Sequence, residues 1–241
     1  MRSGNGLAAR KERTVRCKAV RGPFGAIAVW VFVVFVGAAE ARATVITFQD
    51  SFEFSGGTAP VGSPPWLITT FDDGGTTGSV TMTLTLTATN ATGSEFVGRY
   101  FFNLDPLLDP NQLTFSDPSK VGSFTDPMIS LGANSFKADG GGYFDIKLDF
   151  ATSGGAASRF TSGDSVSYTI TGPSLTADSF NFLSQQHGGQ GTYFDAAHIQ
   201  AIGPNSLSGW DTILPPVPVP EPACVSLLVL GGLAGILRRR R

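Results

Sequence analysis

The central part of the chain, residues 44–214, is predicted to form one all-β domain, an antiparallel β-sandwich of jelly-roll-like architecture. Three observations predict it. The first is strict alternation. Thr81–Asn90 places Met82, Leu84, Leu86 and Ala88 on one side and five threonines on the other. Successive side chains of a strand point to opposite faces, so this run reads as a strand with one dry face and one wet face. Tyr143–Phe150 repeats the pattern, with Phe144, Ile146, Leu148 and Phe150 predicted inward. The second is punctuation: the apolar runs are separated by clusters such as Asp72-Asp73-Gly74-Gly75 and Asp139-Gly140-Gly141-Gly142, which favour turns. The third is that no stretch of this region keeps a helical period for three turns.

The remaining strands follow the same rules in chain order. Aromatic and β-branched runs occur at Val45–Phe54, Trp66–Phe71, Phe96–Leu104, Met128–Leu131, Val166–Thr171, Ser179–Leu183 and Thr192–Ile202. Many short strands separated by turns predict two packed antiparallel sheets. Most of the 19 phenylalanines lie in this region and supply its core. Trp66 and Trp210 would stack on sugar rings if exposed, and burial in the core is the expected alternative.

Composition excludes several functions. Of the 17 Lys and Arg, eight lie in residues 1–43 and four in 238–241, so the body keeps only Arg99, Lys120, Lys137, Lys147 and Arg159. It holds 16 of the 19 Asp and Glu, a net charge of −11. A nucleic-acid reader needs clustered cations to displace counterions from phosphates, and there is no such cluster. Cys17 and Cys224 both fall outside the body. Thiol catalysis, a body disulfide and cysteine-type zinc sites are excluded with them.

Acid–base chemistry is sparsely provided. The histidines, His187 and His198, lie in different segments, a poor basis for a metal site. His198, in a predicted strand, reads as a hydrogen-bonded structural residue, and His187 as an exposed loop residue. No G-x-S-x-G elbow is present for a serine hydrolase. The only body glutamates are Glu53 and Glu95, a thin supply for a glycosidase pair. Aspartates such as Asp72/Asp73 and Asp105/Asp109 sit where Asp caps turns through nearby backbone amides. With no D-x-D-x-D-G loop, no calcium ligands are assigned. The expectation is a non-enzyme with no metal, no cofactor and no catalytic residue.

The two ends carry signals. Residues 1–23 hold seven cations against Glu12, followed by the apolar run Phe24–Val36 and Ala41-Arg42-Ala43. A basic segment, a short apolar segment and an A-x-A site constitute a secretory signal peptide over residues 1–43, with cleavage by signal peptidase expected after Ala43. At the other end, residues 215–222 are a proline-rich linker ending in Pro220-Glu221-Pro222. Prolines hold it extended and open to an enzyme's grip. The apolar stretch Ala223–Leu237 follows, then Arg238, Arg239, Arg240 and Arg241. Fifteen residues of helix span about 22 Å, less than the ~30 Å of a hydrocarbon core. The four arginines stop transfer and stay cytoplasmic, so this helix reads as a transient membrane anchor over residues 223–241.

Motif, apolar helix and arginine cluster, in that order, resemble the PEP-CTERM sorting signal. The likeness covers about 23 residues of the chain. It implies a membrane-embedded exosortase as processing partner, with Pro220, Glu221 and Pro222 as recognition residues and Arg238–Arg241 as stop-transfer. Thr192–Trp210 also resembles the closing segment of such bodies, through Ala197-His198-Ile199-Gln200 and Ser208-Gly209-Trp210. The resemblance implies an exported bacterial protein, inner-membrane anchored before processing and then at the cell surface or outside. Its body is read as structural or adhesive within extracellular polysaccharide. The alternatives are a secreted glycan-binding module and, less favoured, a secreted hydrolase.

Overall fold

The computed structural model describes residues 42–87 and 94–213. Twelve strands run in chain order: β1 Val45–Glu53, β2 Leu67–Asp72, β3 Ser79–Leu86, β4 Phe96–Phe102, β5 Thr114–Phe115, β6 Ser119–Val121, β7 Met128–Lys137, β8 Tyr143–Asp149, β9 Phe160–Thr161, β10 Ser165–Thr171, β11 Asp195–Ile202 and β12 Leu207–Ile213. The only helical elements among the described residues are single 3-10 turns at Pro110–Gln112 and Ala177–Phe180. The second of these replaces the strand expected at Ser179–Leu183. Its Thr176 and Ser179 hydroxyls bond each other, and the Ser179 hydroxyl accepts from the Thr176 amide.

All twelve strands are antiparallel members of one curled sheet, ordered β5-β10-β3-β2-β1-β12-β11-β4-β8-β7, with β6 also on β10 and β9 on β4. The expected pair of separate sheets is therefore one continuous sheet whose halves face each other across the core. The two runs of strands join at β1 and β12, the first and last. At its far ends the curl nearly closes. Residues 122–127 lead from β6 on one edge to β7 on the other, and the seven steps from Val121 to Met128 reach at most about 25 Å. Phe124 on this crossing is buried edge-on against Phe160, with ring centroids 4.9 Å apart, and it fills the mouth of the core. Lys120 secures the crossing by donating to the Phe124 carbonyl at 3.1 Å and by pairing with Asp126.

The alternation behaves as read on β3. Val80, Met82, Leu84 and Leu86 are fully buried, and Thr83 and Thr85 bond Ser167 and Ser165 of β10 on the other side. On β8, Ile146 and Leu148 enter the main core, whereas Phe144 does not. It packs in a smaller cluster with Phe54, Phe101, Ala138, Tyr193, Ala196 and Trp210. Phe101 lies between Tyr100 and Phe102, both in the main core, so the smaller cluster occupies the opposite face of the sheet.

Four phenylalanines centre the main core. Phe71 of β2 stacks on Phe180 at 4.4 Å and meets Phe48 at 5.6 Å and Phe102 at 5.3 Å. These rings come from both halves of the sheet and from the 3-10 turn, so they report directly on the closure of the curl. Phe71→Ala is expected to lower the free energy of unfolding by about 3–5 kcal/mol. Urea titration followed by tryptophan fluorescence measures this, and a loss under 1 kcal/mol would contradict the central place given to Phe71.

Candidate functional site

The aspartates divide into two populations. Those expected in turns are there: Asp72 accepts from Gly74 N at 2.8 Å, Asp105 from Leu107 N at 2.8 Å and Asp109 from Asn111 N at 3.0 Å. Asp50, Asp195 and Asp211 are different, since each lies within a strand and each is fully buried. The turn explanation does not extend to them. Alternation held a signal for two: Asp50 is in phase with Ile46 and Phe48, and Asp195 with Ala197 and Ile199, all on core-facing positions.

Burying a carboxylate is costly unless it is neutralised or well hydrogen-bonded. Asp195 takes the second course. It accepts from the Tyr100 hydroxyl at 3.0 Å, from Thr212 Oγ1 at 3.0 Å and from Ile213 N at 3.4 Å. Asp50, across from Ile213 in the β1–β12 ladder, has no such donors. Burial and then the neighbouring Asp195 push its carboxyl well above the ordinary range, and burial raises Asp195 as well against its hydrogen bonds. Asp211 stands opposite Glu53 in the same ladder. Burial, followed by the charges of Glu53 and Glu95, raises it to about 8. Protonated, it avoids the penalty of two like charges facing each other across strands.

Neither glutamate is placed for acid–base work. Glu53 accepts from Ser55 N at 2.8 Å, Gly56 N at 3.1 Å and Trp210 N at 3.3 Å, which holds its carboxyl below the usual value against its partial burial. Glu95 accepts from Val61 N at 2.7 Å. Among the described residues no three His, Cys, Asp or Glu side chains converge on a common point that would suit a metal ion.

An accessible polar surface lies elsewhere, in an open groove of about 410 Å³ on the outer side of β11 and β12. Phe96, Thr152, Arg159, His198, Gln200 and Ser208 line much of it. The His198 ring stacks on Trp210 at 4.6 Å and 16°. The Gln200 amide donates to His198 Nδ1 at 3.0 Å, so the remaining ring proton sits on Nε2. Burial and then Arg99 lower the His198 basicity, which keeps the ring neutral at pH 7. Arg159 lies 4.3 Å above the Phe96 ring and donates to the Thr152 carbonyl at 3.0 Å. Gly98 makes room for the arrangement: a Cβ there would come within 2.8 Å of the Gln200 amide nitrogen. The groove presents amide, guanidinium and hydroxyl groups beside an aromatic stack, and no carboxylate lines it.

Trp66 and Trp210 are both buried, at 6% and 9% exposure, Trp66 in the main core and Trp210 in the smaller cluster on the other face of the sheet. His187 rests on Tyr143 at 4.5 Å in an exposed loop. Of the sorting residues, Ala43 is described and exposed just before β1. Ala41, Pro220, Glu221, Pro222 and Arg238–Arg241 lie outside the described residues, as do most of the leader and the tail helix. Among the described residues no helix is long and apolar enough to cross a membrane. No protein-family model, curated protein or solved structure matches the chain.

The buried acids make stability depend on pH with a definite sign. The folded state holds protons on Asp50 and Asp211 that the unfolded chain releases near pH 4. Stability therefore falls as pH rises from about 4 through about 8. Glu53 and Asp73, held below their usual values, act oppositely: their contribution is lost as pH falls below about 4. Thermal midpoints measured from pH 3 to 9 are expected to peak near pH 5. Asp211→Asn should flatten the decline between pH 5 and 8; an unchanged slope would show that Asp211 is ionised in the fold.

Proposed function

We propose that this is an exported bacterial surface or extracellular-matrix protein. In this reading the leader over residues 1–43 carries it across the membrane, and signal peptidase removes that leader after Ala43. A PEP-CTERM-type tail then presents it to an exosortase-type enzyme. One observation carries the proposal: Pro220-Glu221-Pro222, the apolar stretch Ala223–Leu237 and Arg238–Arg241 occur in the order the sorting signal requires. Each part has a physical task. The prolines keep the cut site extended, the short helix holds the chain in the bilayer for a time, and the arginines prevent it from slipping through. The limits of the fold are compatible with this division, since the sheet begins at Val45 and ends at Ile213. The β domain then acts as a structural or adhesive module among extracellular polysaccharides.

A second reading, glycan binding, is favoured by the groove at His198, Gln200 and Arg159. Its planar and hydrogen-bonding groups suit a sugar's hydroxyls, and the acidic body disfavours polyanions.

Export and processing separate by mutation. Glu221→Ala, or Pro220 and Pro222 both to Ala, should leave export intact and block processing. The uncut chain should then accumulate in the inner membrane, larger than the mature form by roughly the tail. Deleting the four arginines should instead let the short helix pass through the membrane. Fractionation blots in the native host read all three, and a motif variant processed like wild type would leave a plain tail anchor as the better account.

The groove has its own test. Arg159→Ala with Gln200→Ala should weaken retention of the exported protein on its host's surface polysaccharide at least tenfold in a pull-down. Equal retention of wild type and variant would remove the glycan reading and leave the structural one.

A further inference from the structure

The start of β1 is tied down by a carboxylate whose placement goes beyond what a turn needs. Asp73, in the turn between β2 and β3, accepts from Gly75 N at 2.9 Å, the local bond expected of a turn aspartate. The same oxygen, Oδ1, also accepts from Thr44 N at 2.8 Å, and Oδ2 accepts from Ala177 N of the 3-10 turn at 3.3 Å. The Asp73 amide in return donates to the Thr44 carbonyl at 3.2 Å. One side chain thereby joins three segments that are far apart in sequence. Its carboxyl is held below the ordinary range by the Thr44 amide, then by Gly75 and Ala177, and it is ionised at neutral pH. A cavity of about 150 Å³ adjoins it, with Thr76, Thr176 and Asp178 in its walls. The only cation in those walls is Arg42.

Thr44 is the residue that would head the chain once the leader is removed after Ala43. We propose that the α-ammonium group released by that cut is held by Asp73, so that removal of the leader itself adds an ionic clip to the folded sheet. The inference rests on the cleavage reading above. Hydrolysis of the Ala43–Thr44 amide adds water across the bond, with hydroxyl to the Ala43 carbonyl and hydrogen to the Thr44 nitrogen. At neutral pH that amine gains a further proton from solvent. The nitrogen already stands at hydrogen-bonding distance from Asp73, so no rearrangement is needed. Its single amide donor becomes an ammonium with three, and a neutral hydrogen bond becomes a charge-assisted one. Arg42 leaves with the leader, and the new cation takes its place beside Asp73 and Asp178. These two carboxylates are the charged groups that face the new terminus from the β2–β3 turn and from the 3-10 turn. The clip secures the start of β1, the strand that pairs with β12.

The test uses the full-length chain purified in detergent, before and after digestion with purified signal peptidase, with the cut site read by mass. The cut chain is expected to melt about 2–4 °C above the uncut one. Asp73→Asn should abolish the gain. Acetylating the Thr44 α-amine of the cut wild type should abolish it as well, a control that holds even if the variant folds poorly. The α-amine, followed by NMR after reductive methylation with labelled formaldehyde, should titrate above the ordinary range near 8 in wild type and return to it in Asp73→Asn. A correctly cut chain with no gain, or with a gain that survives acetylation, overturns the clip and leaves the cleavage reading standing. A chain left intact, or cut elsewhere, overturns the cleavage reading and the clip together.

Discussion

The pairing of β1 with β12 is the contact on which the rest of the fold depends, because among the described residues it is the one strand pair that joins the two runs. On one side lie β2, β3 and β10; on the other, β11, β4, β8 and β7. The ladder itself is short. Its register runs through Asp50↔Ile213, Phe52↔Thr212 and Glu53↔Asp211, with an irregularity between Asp50 and Phe52. By contrast β1 pairs with β2 through six consecutive residues. One carboxylate adds to it: Glu53 of β1 takes the Trp210 amide across the seam, while Asp195 of β11 takes Thr212 Oγ1 and the Ile213 amide within the β11–β12 pair. A hydrogen bond to a charged acceptor is worth more than one to a neutral acceptor, and most of all where water is excluded.

The buried carboxylates along this seam are set apart from the open surface. Two neighbouring buried carboxyls resemble the arrangement with which enzymes activate water, and their perturbed acidity alone would mark a functional site. Here the pair is enclosed in the sheet with no opening for a substrate. The open groove around His198 and Arg159 has hydrogen-bonding groups and no carboxylate. Burial and access are separated in this molecule, and only access bears on what it meets outside itself.

Much of the architecture was legible. Period-two alternation marked β3 and β8, because a half-buried strand writes its two faces into alternating residues, and aromatic and β-branched runs marked β1, β2, β4, β10, β11 and the start of β7. The short strands β5, β6 and β9 have two or three residues each and carry no period to read. β12 escaped for another reason: its Leu-Ser-Gly-Trp-Asp-Thr-Ile has polar residues buried on both sides, so it looks like neither a core strand nor an edge. That one sheet replaces two was not readable at all, since it turns on which strands pair across the seam and alternation is silent about partners. The buried aspartates were half legible. Asp50 and Asp195 keep the phase of their apolar neighbours, but turn propensity is a plausible account of any aspartate until its strand is known. Arg159 and Gln200 gave no signal, because the groove is assembled from β4, β11, β12 and the loop at Thr152.

The antiparallel seam has a mechanical consequence. β1 begins and β12 ends at the same end of the sheet, so a pull applied between Thr44 and Ile213 draws the two strands apart from that end. Their hydrogen bonds run perpendicular to the strands and would carry the load one after another, as a zipper does, rather than all at once in shear. Held at both ends, the domain would peel at low force along this short ladder. Held by one end only, it feels no tension across the seam.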